Sequence, residues 1–430
     1  MSTTLFEQLQ RLKAPQSGAI ADAKRKASIL FEPKEAAGKD RRTIYDLGIN
    51  GLQELIVLNS NFQQFEDTLF DENTLHLERA VELKEVNDLL NKNIKKFLQH
   101  LSPYFLLRPA HLCLEWLIRR FHIHEYNRNE LMALVLPYHE TNAFVKVIQT
   151  FRLKEADKMW FWLKPLQKPG KPLAKSAVLN KAATDKGFFE FVCNSTLETV
   201  KEFGPHANLL QTQLNFYGSV VVGALEVTSS VQEWHICTIL PSLLRGLSSG
   251  CIDFVSASYI ITARLVARTQ LTSKLCNNIL AKVASVSFTR LQRTAVLLLI
   301  WIFDSQQACQ PKFSEETLLH LIQQSWLTNI LDSLAKENVN IHALVVPLLN
   351  YSIKALQEQH ASSNIFKNFL DALLNEIEFP IISAQQIIRY LREIFIYIII
   401  IIMYFCTVYL YKRETRWWLL YITILKKNSF

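Results

Sequence analysis

The sequence predicts an all-α fold built as an α-solenoid of stacked helical repeats. Three observations lead there. Apolar residues recur at helical spacing in stripes of about 12 to 18 residues, the length of a solenoid helix. Only 11 glycines and 13 prolines punctuate 430 residues, while Leu, Ile, Ala, Lys, Glu and Gln dominate, a balance that favours long helices with short connections. A proline set among bulky aliphatics appears three times, as VLPY at 135–138, ILPS at 239–242 and VVPL at 345–348. With 49% of its residues hydrophobic, the chain can bury a substantial core.

Taken in order, Leu5, Phe6, Leu9 and Leu12 share one face of an amphipathic helix that Ala14-Pro15 ends. A second helix is expected through Ile20 to Leu30, and Pro33 suits the first turn of the next, where its missing amide costs nothing. Thr43 is the expected N-cap of the stripe Ile44, Leu47, Leu52, Leu55, Ile56, within which Gly48 and Gly51 imply close helix packing or a break. From Thr74 to Leu101 the pattern reads as one long amphipathic helix carrying Leu83, Val86, Leu90, Ile94, Phe97, Leu98 and Leu101, stopped by Ser102-Pro103. Further stripes run from Val255 to Val266, Leu275 to Val283, Leu291 to Phe303, Ile341 to Ile353 and Phe366 to Ile377. Ser314 followed by Glu315-Glu316 marks a helix start. Pro137, Pro241 and Pro347 are 104 and 106 residues apart, a loose fit to three repeats of the 35 to 40 residue class, with an irregular α-helical domain without true repeats as the alternative. Prolines inside first helices are a habit of HEAT-type repeats, and a helix tolerates one where the kink serves packing.

The formal charge of +8 is concentrated at the end of the chain. Beyond residue 380, Arg389, Arg392, Lys412, Arg413, Arg416, Lys426 and Lys427 face only Glu393 and Glu414. The preceding body is close to balance, which argues against wrapping by RNA along its whole length and leaves local basic patches. One such patch is the segment from Lys164 to Lys186. It places Pro165, Pro169, Gly170 and Pro172 among six lysines, Lys164, Lys168, Lys171, Lys175, Lys181 and Lys186, with Asp185 as the single acid. It reads as a basic, exposed connection. Trp160, Phe161 and Trp162 precede it, so cations and stacking rings stand side by side, as single-stranded RNA binding can use. The alternative is that the aromatics close a helical core while the lysines keep a loop soluble. Lys164, Lys168, Lys171 and Lys175, with Arg119 and Arg120, are the candidate RNA or partner contacts. For the two arginines, which directly follow LEWLI, a helix-to-helix tie is the competing role.

Catalytic signatures are missing: the sequence holds no Gly-rich phosphate loop, H-E-x-x-H, G-x-S-x-G or kinase motif. His122 and His124 could in principle join His111 or His139 around a metal. Their i, i+2 relation points them apart on a helix, and no nearby cysteine completes a tetrahedral set. No cofactor is expected. Cys113, Cys193, Cys237, Cys251, Cys276, Cys309 and Cys406 lie far apart without zinc-type spacing. They are expected as reduced, mostly buried thiols of a cytosolic or nuclear protein, since no apolar leader follows Met1.

Beyond these patterns, six blocks stand in order: LFEQLQRLKAP, SILFEPKEAAGKDRRTIYDLGINGLQELI, FEDTLF, SPYFLLRPA, LEWLIRRFHIHEYN and LPYHET. They resemble the opening of the HEAT repeat-containing protein 1 family. The stretch from Trp234 to Ile353, with ILPSLLRGLSS and YIITARLVART, is similar to the helical domain that comes next in the same family. The resemblance implies a non-catalytic scaffold of the nucleolar small-subunit processome, which matures pre-18S ribosomal RNA, with a link to ribosomal RNA transcription. Implied partners are other processome subunits, among them β-propeller and helical proteins, together with pre-ribosomal RNA and a small nucleolar ribonucleoprotein. The expected location is the nucleus, in the nucleolus. The resulting division is an N-terminal helical domain over 1–163, the basic connection over 164–186, a HEAT-like domain over 187–379 and a hydrophobic tail over 381–430.

That tail departs from the family. An uninterrupted apolar run from Ile394 to Tyr411 is flanked by basic residues and meets the minimum length for a membrane span. Its richness in Ile, Tyr, Phe, Leu and Lys equally matches translation of A·T-rich non-coding sequence, a gene-model artefact. The competing function is therefore a tail-anchored membrane protein with a cytosolic helical interaction domain. A HEAT-type transport adaptor for cargo and a small GTPase is a third reading, which the N-terminal blocks oppose.

Overall fold

The computed structural model describes residues 26–168, 170–204, 210–357 and 363–376, and every regular element among them is helical. The stripe at Leu5–Leu12 and the apolar run at 394–411 lie outside the described residues. Among the described residues no helix is long and apolar enough to cross a membrane. Two compact units part between Lys312 and Phe313.

The first unit opens with a segment that the sequence pattern assigned to a helix ending at Leu30. Residues 26–32 are instead non-helical, because their amides are claimed elsewhere. Ile29 and Leu30 donate to Glu115 Oε2 at 2.8 and 3.3 Å, while Leu30 and Phe31 donate to Ser28 Oγ at 3.3 and 2.9 Å. Helix α1 (Pro33–Gly38) comes next, with its proline in the first turn. Helix α2 (Arg41–Leu58) is capped by Asp40, whose carboxylate accepts from Thr43 N. Thr43 therefore sits inside the helix as the cap's partner and is not the cap itself.

The expected helix from Thr74 begins only at Lys84, as α3 (Lys84–Leu101). Arg79 is the reason. Its buried guanidinium donates to Phe121 O at 2.9 Å and Asn127 Oδ1 at 2.8 Å, and also to Asn91, which draws the preceding residues inward as turns. Leu83 and Val86, assigned to the apolar stripe, are exposed, whereas Leu90, Ile94, Phe97, Leu98 and Leu101 are buried. Helices α4 (Arg108–Phe121), α5 (Ile123–Tyr126), α6 (Arg128–Val135) and α7 (Asn142–Thr150) complete this part. Pro137 does not bend a helix: α6 ends at Val135, and Pro137 lies in a 3-10 turn over Leu136–Tyr138.

Helix α2 packs on α4 closely because its two glycines face it. A Cβ at Gly48 would stand 2.7 Å from Trp116 Cβ, and one at Gly51 2.7 Å from both Leu112 Cβ and the Pro109 carbonyl. Trp116 is buried there. Its ring meets Tyr45 edge-on at 5.2 Å, and its indole N–H donates to Leu69 O at 3.0 Å.

After a single turn, α8 (Lys164–Gln167), the chain settles into two parallel stacks. One holds α9 (Lys175–Thr184), α11 (Gln211–Val227), α13 (Ile252–Arg268) and α15 (Gln292–Ser305). The other holds α10 (Lys186–Phe203), α12 (Glu233–Leu247) and α14 (Ser273–Ala284). Each helix packs against its counterpart one repeat away, the nearest-neighbour arrangement of a HEAT-like α-solenoid. Polar ties mark the repeat directly. Arg268 reaches Thr228 O across 40 residues of chain, Trp301 Nε1 reaches Ala263 O across 38, and Gln306 reaches Val266 O across 40. Gln306 is fully buried and makes three bonds, donating to Val266 O at 2.8 Å and Thr269 O at 2.7 Å while accepting from Leu271 N at 2.8 Å. Pro241 does lie inside α12, on an exposed face, so the carbonyl it leaves unpaired is on the solvent side.

The second unit contains α16 (Glu315–Ile322), α17 (Leu327–Lys336), α18 (His342–Gln357) and α19 (Ser363–Glu376). Ser314 caps α16 by accepting from Thr317 N at 3.2 Å, and Pro347 lies inside α18. Leu344, Leu348, Phe366 and Leu373 form its core.

Replacing Gly51 with Ala should lower stability by about 1 to 3 kcal/mol, because the new methyl meets both a side chain and a backbone carbonyl. Gly38→Ala, with nothing within 4 Å, should leave the urea midpoint almost unchanged, and equal effects at the two positions would rule the packing argument out. Gln306→Ala should cost roughly 2 to 4 kcal/mol by stripping the partners from buried backbone groups, measured as a fall in the same midpoint at constant m-value.

Candidate interaction surface

The basic segment is an anchored platform. Upstream of it, Arg128 pairs with Asp157 at 2.7 Å, and the Lys154 amide donates to the same carboxylate at 3.0 Å. That amide bond, joined by Arg128, holds the Asp157 carboxyl below its ordinary range. The turn places Trp160 in the core, its indole N–H on Asn129 Oδ1 at 2.8 Å and its ring perpendicular to Phe191 at 5.0 Å. Phe161 and Trp162 remain half-buried at the rim. Lys164 Nζ lies 4.9 Å from the centre of the Phe161 ring, and Lys181 Nζ 5.8 Å from that of Trp162.

Two clamps hold the chain between α8 and α9. Gln167 Nε2 donates to the carbonyls of Ile148 and Phe151, both at 2.7 Å. Leu173 is buried; its amide donates to His139 O at 2.9 Å, and its carbonyl accepts from His139 Nδ1 at 2.8 Å. Gly170 makes the turn between the clamps possible with φ +61°. The segment 164–186, expected as a basic, exposed connection, is partly helical, with α8 at its start and α9 from Lys175, and it lies inside the first unit.

With the backbone fixed inward, the lysines point out. Lys164, Lys168, Lys171 and Lys175 are all exposed. Lys181 is half-buried and paired with Asp185. Lys154 and Lys158, which lysine density over 164–186 did not single out, are exposed beside the same aromatic turn. Their signal was present as a lysine pair four residues apart just before Met159-Trp160. The arrangement sets exposed lysine charges beside the half-buried rings of Phe161 and Trp162, the latter packed edge-on against Phe188 at 5.7 Å.

The two arginines belong to the interior. Arg119 Nη2 donates to Ala36 O at 2.9 Å and Lys39 O at 3.4 Å. Arg120 Nε donates to Thr74 O at 2.6 Å, and its Nη1 meets Glu78 at 3.3 Å. Their side chains are 9% and 4% exposed, so their charge is spent tying α4 to earlier segments and is remote from any solvent-borne ligand.

His122 and His124, expected to point apart on a helix, are neighbours with ring centres 5.9 Å apart, because the left-handed turn at His122 breaks the helix between them; among the described residues no group of three or more such side chains could hold a metal. His122 ends α4 in the left-handed conformation, with φ 50°. His124 is buried, and desolvation with His122 alongside pushes its pKa down to about 3. His111 meets Phe105 edge-on at 5.6 Å. His100, packed against Phe65 and Phe203 with ring centres at 5.9 and 4.8 Å, is lowered to about 4 by burial and by Lys96.

Comparison with known proteins is consistent with this architecture. Residues 235–352, which span α12 to most of α18, match the family described as U3 small nucleolar RNA-associated protein 10. The HEAT repeat-containing protein 1 homolog of Drosophila melanogaster is 55% identical over 90% of this chain and 19% of its own length. HEAT repeat-containing protein 1 of Homo sapiens is 36% identical over 87% of this chain and 18% of its own. The U3 small nucleolar RNA-associated protein 10 of Debaryomyces hansenii is 28% identical over 80% of this chain and 19% of its own. The chain spans less than a fifth of the length of these relatives.

Acid should weaken the fold through His100 and His124. Both have folded pKa values below the unfolded value, so stability is full above about pH 6.5 and falls as pH drops from there toward about 4 for His100 and about 3 for His124. Within its window the buried His124 costs at most roughly 1.4 kcal/mol per pH unit, and the half-buried His100, partly screened by solvent, costs less. Thermal unfolding at pH 7 and pH 5 should show a fall in Tm with net proton uptake; a pH-independent Tm would contradict the assignment.

Proposed function

We propose, since this chain belongs to the HEAT repeat-containing protein 1 family as the counterpart of the N-terminal portion of its longer members, that it is a non-catalytic scaffold segment of ribosome biogenesis. It acts within the small-subunit processome, in nucleolar processing of pre-18S ribosomal RNA, with a link to ribosomal RNA transcription. Its partners are other subunits of that particle, with pre-ribosomal RNA and the U3 small nucleolar ribonucleoprotein within the same assembly. The observation that carries this reading is the stack of repeats tied every 35 to 40 residues, found in a chain whose relatives are named for association with U3 small nucleolar RNA. Such a stack works by display: its helix faces and inter-helix turns hold several partners at once, and binding at one raises the effective concentration at the next.

Within this role, the lysine platform at Lys164, Lys168, Lys171 and Lys175 contacts single-stranded RNA. The rings of Phe161 and Trp162 supply stacking that tolerates any base, and the lysines supply counterion release.

Two measurements test the proposal at its two levels. Affinity capture of the tagged chain from nuclear extract should enrich U3 small nucleolar RNA over an unrelated nuclear RNA, and equal recovery of both would count against the processome assignment. Titration of the purified chain with single-stranded RNA between 50 and 200 mM salt should give a log–log slope that becomes shallower by about 2 to 3 when Lys164, Lys168, Lys171 and Lys175 are changed together to Ala. An unchanged slope would remove the platform from RNA contact while leaving the scaffold role standing.

A further inference from the structure

The connection after α15 brings two of the chain's six described cysteines together. Cys276 lies in the first turn of α14 and is buried; Cys309 ends the 3-10 turn Gln307–Cys309 and is half-buried. Hydrogen bonds on either side of the pair fix the approach. Ser273 Oγ donates to the Cys309 carbonyl at 2.7 Å, and Asn277 Oδ1 accepts from Lys312 N at 2.9 Å. Residues 273, 276 and 277 share one face of α14, so these contacts lay the strand of chain from 309 to 312 directly over Cys276, and the two thiols interact. Gln310, held in the left-handed region at φ 47°, and Pro311 after it, fix the path of that strand.

We propose that Cys276 and Cys309 are a redox-responsive thiol pair, which a peroxide converts to a disulfide that pins the end of the first unit onto α14. The half-buried Cys309 is the sulfur that oxidant can reach. Its thiolate attacks one peroxide oxygen, the O–O bond breaks, and the thiol proton with the departing hydroxide leaves as water, giving a sulfenic acid. The Cys276 sulfur then attacks that sulfenic sulfur, the S–O bond breaks, and the hydroxyl with the Cys276 proton leaves as a second water. Two thiols and one hydrogen peroxide thus become one disulfide and two waters. Cys276 reacts second and not first, since burial keeps peroxide from it and, with Cys309 beside it, pushes its pKa up to about 12; its proton passes to the departing hydroxyl as the S–S bond forms. Exposed Cys237 has no such neighbour among the described cysteines, so its oxidation stops at the sulfenic or higher acids.

Peptide mapping of the intact 430-residue chain, folded, treated with stoichiometric hydrogen peroxide and alkylated before trypsin digestion, tests this. The expected product is the peptide 275–282 joined to 294–312, two hydrogens lighter than their sum and separated by reductant. In the same digest, dimedone labelling at Cys237 reports that the oxidant reached the protein. Cys309→Ser, a change at a half-exposed turn, should abolish the linked peptide and leave Cys276 alkylatable only after unfolding. Dimedone-labelled Cys237 with unlinked 275–282 would overturn the proposal, as would a disulfide from Cys276 to any cysteine other than Cys309.

Discussion

The close approach of α2 and α4 is the constraint on which the N-terminal part depends. Because Gly48 and Gly51 carry no Cβ, Trp116, Leu112 and Cys113 can come down onto the backbone of α2. Once there, Trp116 must find a partner for its buried indole N–H, and it finds the Leu69 carbonyl. Tyr45 similarly reaches Phe70 O at 2.8 Å. Those two bonds place the segment around residue 70 against the pair, bringing Phe62, Phe65, Phe70 and Phe97 into one aromatic cluster. Glu115, Arg119 and Arg120 of α4 then engage the amide of Ile29, the Ala36 carbonyl in α1 and the Thr74 carbonyl in a 3-10 turn. Short segments that could not form a core of their own are thereby held by charged side chains of a helix that can.

This division explains what was legible in the sequence. Helices whose apolar stripe faces a neighbouring helix were readable from periodicity, as for Ile252–Arg268, Ser273–Ala284 and Gln292–Ser305, because burial on one face is the property that periodicity measures. Where backbone amides or carbonyls are claimed by a distant charged residue, periodicity misled. The segment before Phe31 carries helix-forming residues, yet Glu115, 86 positions away from Ile29, takes its amides. The stretch around Arg79 continues the apolar pattern of Lys84–Leu101, yet Arg79 is drawn into the core by carbonyl and amide oxygens 42 and 48 positions along the chain. Tertiary contacts of that range leave no local mark.

The candidate surface was legible in part. Lysine density singled out Lys164, Lys168, Lys171 and Lys175, and their exposure agrees with their composition. Arg119 and Arg120 looked equally cationic, but their placement after a dense apolar run carries them into the interior, where the carbonyls of Ala36 and Thr74 replace solvent. The clamp at Leu173 and His139 could not be foreseen, since a single buried leucine in a Pro- and Lys-rich stretch gives no periodic signal.

The ties that mark the repeat have a consequence for how such a chain lengthens over evolutionary time. Gln306 closes a step using only groups from the repeat before it, and Arg268 does the same one step earlier. A duplicated copy of one step would therefore arrive with its own closing side chain and would find, on the repeat it lands against, the same free carbonyls. Elongation needs no new interface to be invented, and deletion of a step leaves matching surfaces to rejoin. A protein whose relatives run to about five times this length can thus have grown by repetition of a unit whose join is self-contained.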